Sequence, residues 1–103
     1  MGIHIGPNRV TLDPFTVKRL PRERFDGLRY SGDREFMRWI YDHCEKLKEP
    51  LEAEDQYGLY RPDDFCAARA WVNAEVVEGN RQRLLNLLDM LEAEPDLWMD
   101  ASY

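Results

Sequence analysis

The spacing of apolar positions changes twice along the chain. Near the N-terminus it alternates, with Ile3 and Ile5 around His4, and Val10 and Leu12 around Thr11. A period of two is what a strand buried on one face requires. Gly6, Pro7 and Asn8 lie between the two runs and carry turn chemistry: Gly accepts positive φ, Pro fixes its own φ, and Asn accepts a left-handed backbone. The pattern therefore predicts a β-hairpin over 3–12 that turns at 6–8. Pro14 and Pro21 divide the next stretch into short pieces, and Phe15/Val17 and Leu28/Tyr30 predict one short strand each.

From Asp33 the period lengthens to that of a helix. Asp33 suits an N-cap and Glu35 a first turn. Phe36, Ile40, Cys44 and Leu47 share one face with Trp39 at its edge, opposite Arg34, Arg38, Asp42 and Glu45. The spacing predicts a helix over 33–48, stopped by Pro50. Residues 51–61 read as a loop of acids and tyrosines around Gly58. Pro62 fits the first turn of a second helix, followed by Asp63 and Asp64. One stripe of that helix is Phe65, Ala68, Val72 and Val76, and another is Ala67, Ala70, Ala74 and Val77. Apolar residues on both sides predict a central helix buried on both sides.

Gly79 as C′ and Asn80 as N-cap leave almost no connection before a third helix, so the pair should form an αα-hairpin. Leu84, Leu85, Leu87, Leu88 and Leu91 give this helix a broad core-facing stripe. Arg81 and Arg83 oppose the helix dipole in its first turn, which a specific contact would explain. Pro95 stops the helix, and Leu97, Trp98 and Met99 are expected to fold back over the core.

These elements predict an α+β fold: a small N-terminal antiparallel sheet or hairpin packed on three helices. At 103 residues, 44% hydrophobic and 12% aromatic, the chain can bury one core. Residues 1–103 are expected to form a single domain, with 1–32 β-rich and basic and 33–103 helical and acidic. Charge supports that division. Residues 1–34 carry seven Lys/Arg against four Asp/Glu, whereas 35–103 carry seven against sixteen, for a net charge of −6. An acidic body disfavours a nucleic-acid backbone as partner and favours a protein with a basic surface.

Several classes lose support. There is no apolar run of about 18 residues, the length of a membrane-spanning helix. The opening MGIHIGPNRV lacks the layout of a secretory signal, and Gly6 stands where myristoylation needs Ser or Thr. A cytoplasmic location is expected, with Cys44 and Cys66 reduced and buried. His4, His43, Cys44 and Cys66 have the right number but the wrong spacing for zinc, so neither a metal nor a cofactor is expected. His43 falls within an apolar arc and should be semi-buried. No Gly-x-Ser-x-Gly, phosphate-cradling loop or His-Glu-x-x-His occurs. Carboxylate pairs arise by chance among twenty acids, and the chain is expected not to be an enzyme.

Two surfaces remain. Lys18, Arg19, Arg22, Arg24 and Arg29, interleaved with Phe25 and Tyr30, could grip a nucleic-acid backbone and stack bases. Glu23 and Asp26 interrupt this stretch, and neutralising the acidic body explains it equally well. The loop of Asp55, Gln56, Tyr57, Gly58, Leu59, Tyr60 and Arg61 carries residue types enriched at interface hot spots. Glu54, Asp55, Glu92 and Glu94 could serve as its steering rim. Packing of Tyr57 and Tyr60 beneath the loop is an equal alternative. By elimination, the expected function is a small intracellular module that occludes a protein partner with a basic surface, as an inhibitor, an immunity protein or a phage-type anti-defence factor does. Its expected partner-binding residues are Asp55, Tyr57, Tyr60, Arg61, Glu92 and Glu94, with none catalytic. The alternatives are a nucleic-acid-associated regulator using 18–30, and a small-molecule-binding or enzymatic domain whose site is assembled only in three dimensions.

Overall fold

The fold is organised around one long strand that does not turn. The computed structural model describes residues 3–12, 15–25, 27–30, 33–47, 58–76 and 78–102. Strand β1 runs from Ile3 to Leu12, straight through the predicted turn. Three contacts hold Gly6–Asn8 extended. The Gly6 N–H donates to the Asp100 carboxylate at 2.9 Å, and the Pro7 carbonyl accepts from Leu20 at 3.1 Å. The Asn8 side-chain amide donates to the Gly6 carbonyl at 3.3 Å. A Cβ at position 6 would clash with the Arg19 guanidinium. Gly6 therefore serves close approach, not positive φ.

β1 has two occupied edges. On one, β2 (Phe15–Arg19) pairs with Asn8–Leu12, and β3 (Leu28–Tyr30) pairs with Ile3–Ile5. Both strands fall where the weak alternation predicted them. On the other edge lies β6 (Leu97–Ser102), with Ile5 opposite Ala101 and Arg9 opposite Leu97. β6 then pairs with β5 (Gly58–Pro62), and β5 with β4 (Cys44–Lys46). All pairings are antiparallel, and the six-stranded sheet has the order β2-β1-β6-β5-β4 with β3 beside β1.

The sheet thus draws on the whole chain, and three expectations change with it. Leu97–Met99 do not simply cover the core; they form a central strand. Residues 58–61, expected in a loop, are a strand between two others, while 51–57 lie outside the described residues. Helix α1 (Asp33–His43) ends before Cys44, because Cys44–Lys46 pair with Tyr60–Pro62. Long-range pairing overrides the local helical period there.

Helix α2 spans Phe65–Glu75 and begins after Pro62, which ends β5. Asp64 is its extended N-cap, and its carboxylate accepts from the Ala67 N–H at 3.0 Å. Ala68, Val72 and Val76 are buried, but Ala67, Ala70 and Ala74 are exposed. The helix is buried on one side only; alanine's small apolar surface costs little in water. Helix α3 (Glu78–Ala93) follows directly and completes the αα-hairpin, burying Leu84, Leu87, Leu88 and Leu91. Gly79 and Asn80 lie inside its first turn rather than before it.

Helices and sheet meet in one core that includes Ile5, Leu28, Phe36, Ile40, Leu97 and Met99. Arg81 and Arg83 make the contacts their position called for. Arg81 donates to the carbonyl of Val76, the C-cap residue of α2, at 3.1 Å, where a cation suits the helix end. Arg83 donates to the carbonyl of Gly27. Among the described residues no helix is long and apolar enough to cross a membrane.

Candidate functional site

Helix spacing builds a socket between α1 and α2. Glu35, Arg38, Trp39, Asp42 and His43 recur at three- and four-residue intervals and so share one stripe of α1. Trp71 and Glu75, four apart on α2, complete the lining. The cavity measures about 220 Å³. Trp39 and Trp71 stack with centroids 5.1 Å apart and 17° between planes. Phe36 supports both, at 5.8 Å from Trp39 and 5.9 Å from Trp71. Trp39 is buried, while Trp71 is half-buried.

The socket's rim is acidic. Glu35, Asp42 and Glu75 are exposed, and the ion pairs among the described residues involve none of them. Three carboxylates face one guanidinium, that of Arg38. The half-buried Trp71 indole, bordered by carboxylates, suits a cation, a guanidinium above all, because it stacks flat and bonds carboxylates in pairs. His43 stands at the rim, exposed rather than semi-buried, its ring 6.1 Å from Trp39.

The residues expected to bind a partner are dispersed. Asp55 and Tyr57 lie outside the described residues. Tyr60 is 5% exposed and belongs to the core; its ring meets Tyr41 edge-on at 6.4 Å. Burial, and then the neighbouring Tyr41, push its phenol up. Arg61 is half-buried and donates to the carbonyls of Glu94 at 3.3 Å and Leu97 at 2.8 Å. Its guanidinium lies 5.2 Å from the Phe65 ring centroid, and burial lowers its pKa. Arg61 thus clasps the turn from α3 into β6.

The acids around that turn are compensated from within. Glu92 and Asp89 each accept from Arg69 at 2.8 Å. Glu94 accepts from Arg9 and Arg24 at 2.7 Å each, Asp96 from Arg9 at 2.6 Å, and Asp100 from Arg19 at 2.7 Å. The pairing of β1 with β6 brings this about, since it lays the basic N-terminal third against the acidic C-terminal end. Glu92 and Glu94 accordingly do not form a free steering rim.

Neither cysteine matches the expectation of full burial. Cys66 is exposed, and Cys44 is of intermediate exposure. Burial, aided by Asp63, pushes the Cys44 thiol up to about 12, so it is not a nucleophile near neutrality. Among the described residues no group of three His, Cys, Asp or Glu side chains could hold a metal.

Sequence reasoning passed over Trp71. Its signal was present: two tryptophans, Trp39 and Trp71, each flank the apolar stripe of a neighbouring helix.

No protein-family model, curated protein or solved structure matches this chain.

Proposed function

We propose that the protein is a small non-catalytic binding module that occludes a basic protein partner in the cytoplasm. Its anchor point is the Trp39–Trp71 socket, where one arginine of the partner inserts. The observation that carries this reading is the stacked tryptophan pair ringed by Glu35, Asp42 and Glu75. Size supports a side chain over a free ligand, because about 220 Å³ lies below the ~300–1,000 Å³ typical of small-molecule pockets. Charge supports a basic partner, since the net charge is −6 and the internally paired acids leave the α1–α2 rim as an open negative surface. Covering this face would block the partner by occupying the surface that carries its arginine.

Tryptophan fluorescence titrated with arginine-rich, lysine-rich and acidic peptides tests the socket. The arginine peptide should bind most tightly and the acidic peptide not at all. Trp71→Ala should weaken binding by about 2 kcal/mol, the scale of an interface hot spot. Glu35→Gln and Glu75→Gln, at exposed positions that leave the core intact, should weaken it in a salt-dependent way. Equal binding of all three peptides, or wild-type affinity in the folded Glu35→Gln/Glu75→Gln variant, refutes the assignment.

A further inference from the structure

A second cavity, of about 530 Å³, lies beside β1 and β3 near α3. His4, Arg19, Arg22 and Arg83 line it together with the apolar side chains of Leu20 and Phe25. We propose that this groove binds a phosphate monoester carrying a planar apolar group, of which a nucleoside monophosphate is the simplest example.

The charge of the lining is the first ground. The chain has twenty acids and fourteen Lys/Arg, yet the described lining holds three guanidiniums, a histidine and no carboxylate. Such a reversal within an acidic protein selects an anion. Arg9 and Arg24 are held outside the groove by Glu94 and Asp96, and Arg19 shares its charge with Asp100. Arg83 has a different partner, since it donates to a backbone carbonyl, that of Gly27.

Preorganisation is the second. Asp100 holds one guanidinium nitrogen of Arg19 at 2.7 Å. Gly27, with φ +73, turns the chain so that its carbonyl receives Arg83. Each of these bonds uses one of several N–H donors on its guanidinium and fixes the group in place. Fixed guanidiniums match phosphate oxygens with paired, charge-assisted hydrogen bonds.

Size and the apolar wall are the third. About 530 Å³ falls inside the ~300–1,000 Å³ range of small-ligand sites. Leu20 and Phe25 pack against the core and so offer a supported surface for a flat ring. A longer nucleic-acid strand would run out of the groove over an acidic body, which favours the single-phosphate ligand.

Calorimetric and amide-NMR titrations with adenosine 5′-monophosphate, inorganic phosphate, adenosine and a short single-stranded oligonucleotide test the site. The monophosphate should bind saturably and shift the amides of Leu20, Phe25 and Gly27, and phosphate or adenosine alone should bind at least about tenfold more weakly. Arg22→Gln and Arg83→Gln should each reduce monophosphate affinity roughly tenfold or more, the loss expected for one charge-assisted hydrogen bond. Arg22 is exposed, so its variant keeps the test valid if Arg83→Gln loosens the fold. Trp71→Ala should leave this binding unchanged, which separates the groove from the α1–α2 socket. No saturable binding, or equal affinity for monophosphate and inorganic phosphate, overturns the proposal. Tighter binding of the oligonucleotide than of the monophosphate also overturns it, in favour of a strand-binding surface.

Discussion

Arg19 and Asp100 are joined by a 2.7 Å ion pair that lies over Gly6. One Asp100 oxygen takes the guanidinium and the other takes the Gly6 N–H at 2.9 Å. Replacing Asp100 with Ala strips a buried N–H of its acceptor and should cost about 2 kcal/mol, the range for a bond to a charged group. Arg19→Gln should cost less, because the Gly6 bond survives and the Arg19 side chain is 51% exposed. Gly6→Ala must displace the guanidinium, so it should couple with Asp100→Ala and the double variant should lose less than the sum. Denaturant unfolding of wild type, the Gly6→Ala and Asp100→Ala variants and the double variant measures this; strict additivity would show that Gly6 and Asp100 act independently.

Acid should weaken the clasp between the two ends of the chain. Hydrogen bonds from Arg24 first, and then from Arg9, hold the Glu94 carboxyl below its ordinary 4.5. The folded state therefore releases this proton more readily than the unfolded one. Its stabilising contribution is full above pH 4.5 and is lost as pH falls through the lower folded value. The stability gap between wild type and Glu94→Gln should be constant near neutrality and close in acid. A gap that widens with acid contradicts the pairing.

The two thiols should separate in rate. At pH 8, a thiol reagent should label exposed Cys66 promptly, while Cys44, half-buried and held as the thiol, should react much more slowly. The Cys44 thiol rises from 9.0 to about 12 on folding, so its burial favours the fold below pH 9.0 and that contribution is lost as pH climbs toward 12. Equal labelling rates in the folded protein would refute the burial of Cys44.

Tyr60 and Arg61 should behave as structural residues. Tyr60→Ala empties a core position and should cost about 3 kcal/mol. Arg61→Met removes both carbonyl contacts at the α3–β6 turn and should cost about 2 kcal/mol. If either variant keeps wild-type stability and loses a partner instead, the residue belongs to an interface.

The legible parts of the sequence were those whose cause is local. Alternation at Phe15/Val17 and Leu28/Tyr30 marked β2 and β3, and the leucine stripe of α3 marked its buried face. Gly6–Pro7 misled because both residues have two uses. Glycine allows a turn or a close approach, and proline suits a turn or a position where the ladder needs only a carbonyl. Cys44 and Leu47 continued the period of α1 while answering to β5, far along the chain. The charges of the C-terminal acids could be counted, but their partners could not, because Arg9, Arg19 and Arg24 reach them only through the β1–β6 register. The Trp39–Trp71 socket was hidden for the same reason: each half reads as the border of an ordinary amphipathic helix.

The pairing of His4 with Ser102 has a consequence during synthesis. Central strands so far apart in sequence give a high contact order, and closing β6 onto β1 costs a large loop entropy. While residues 97–102 remain in the ribosomal tunnel, β1 can pair with β2 and β3 but keeps one bare edge, and β5 keeps another. Unpaired edges of this kind recruit strands from neighbouring molecules. Nascent chains, and chains truncated before Leu97, should therefore aggregate through the vacant slot between β1 and β5, and a peptide of residues 97–102 added in trans should suppress that aggregation by filling it.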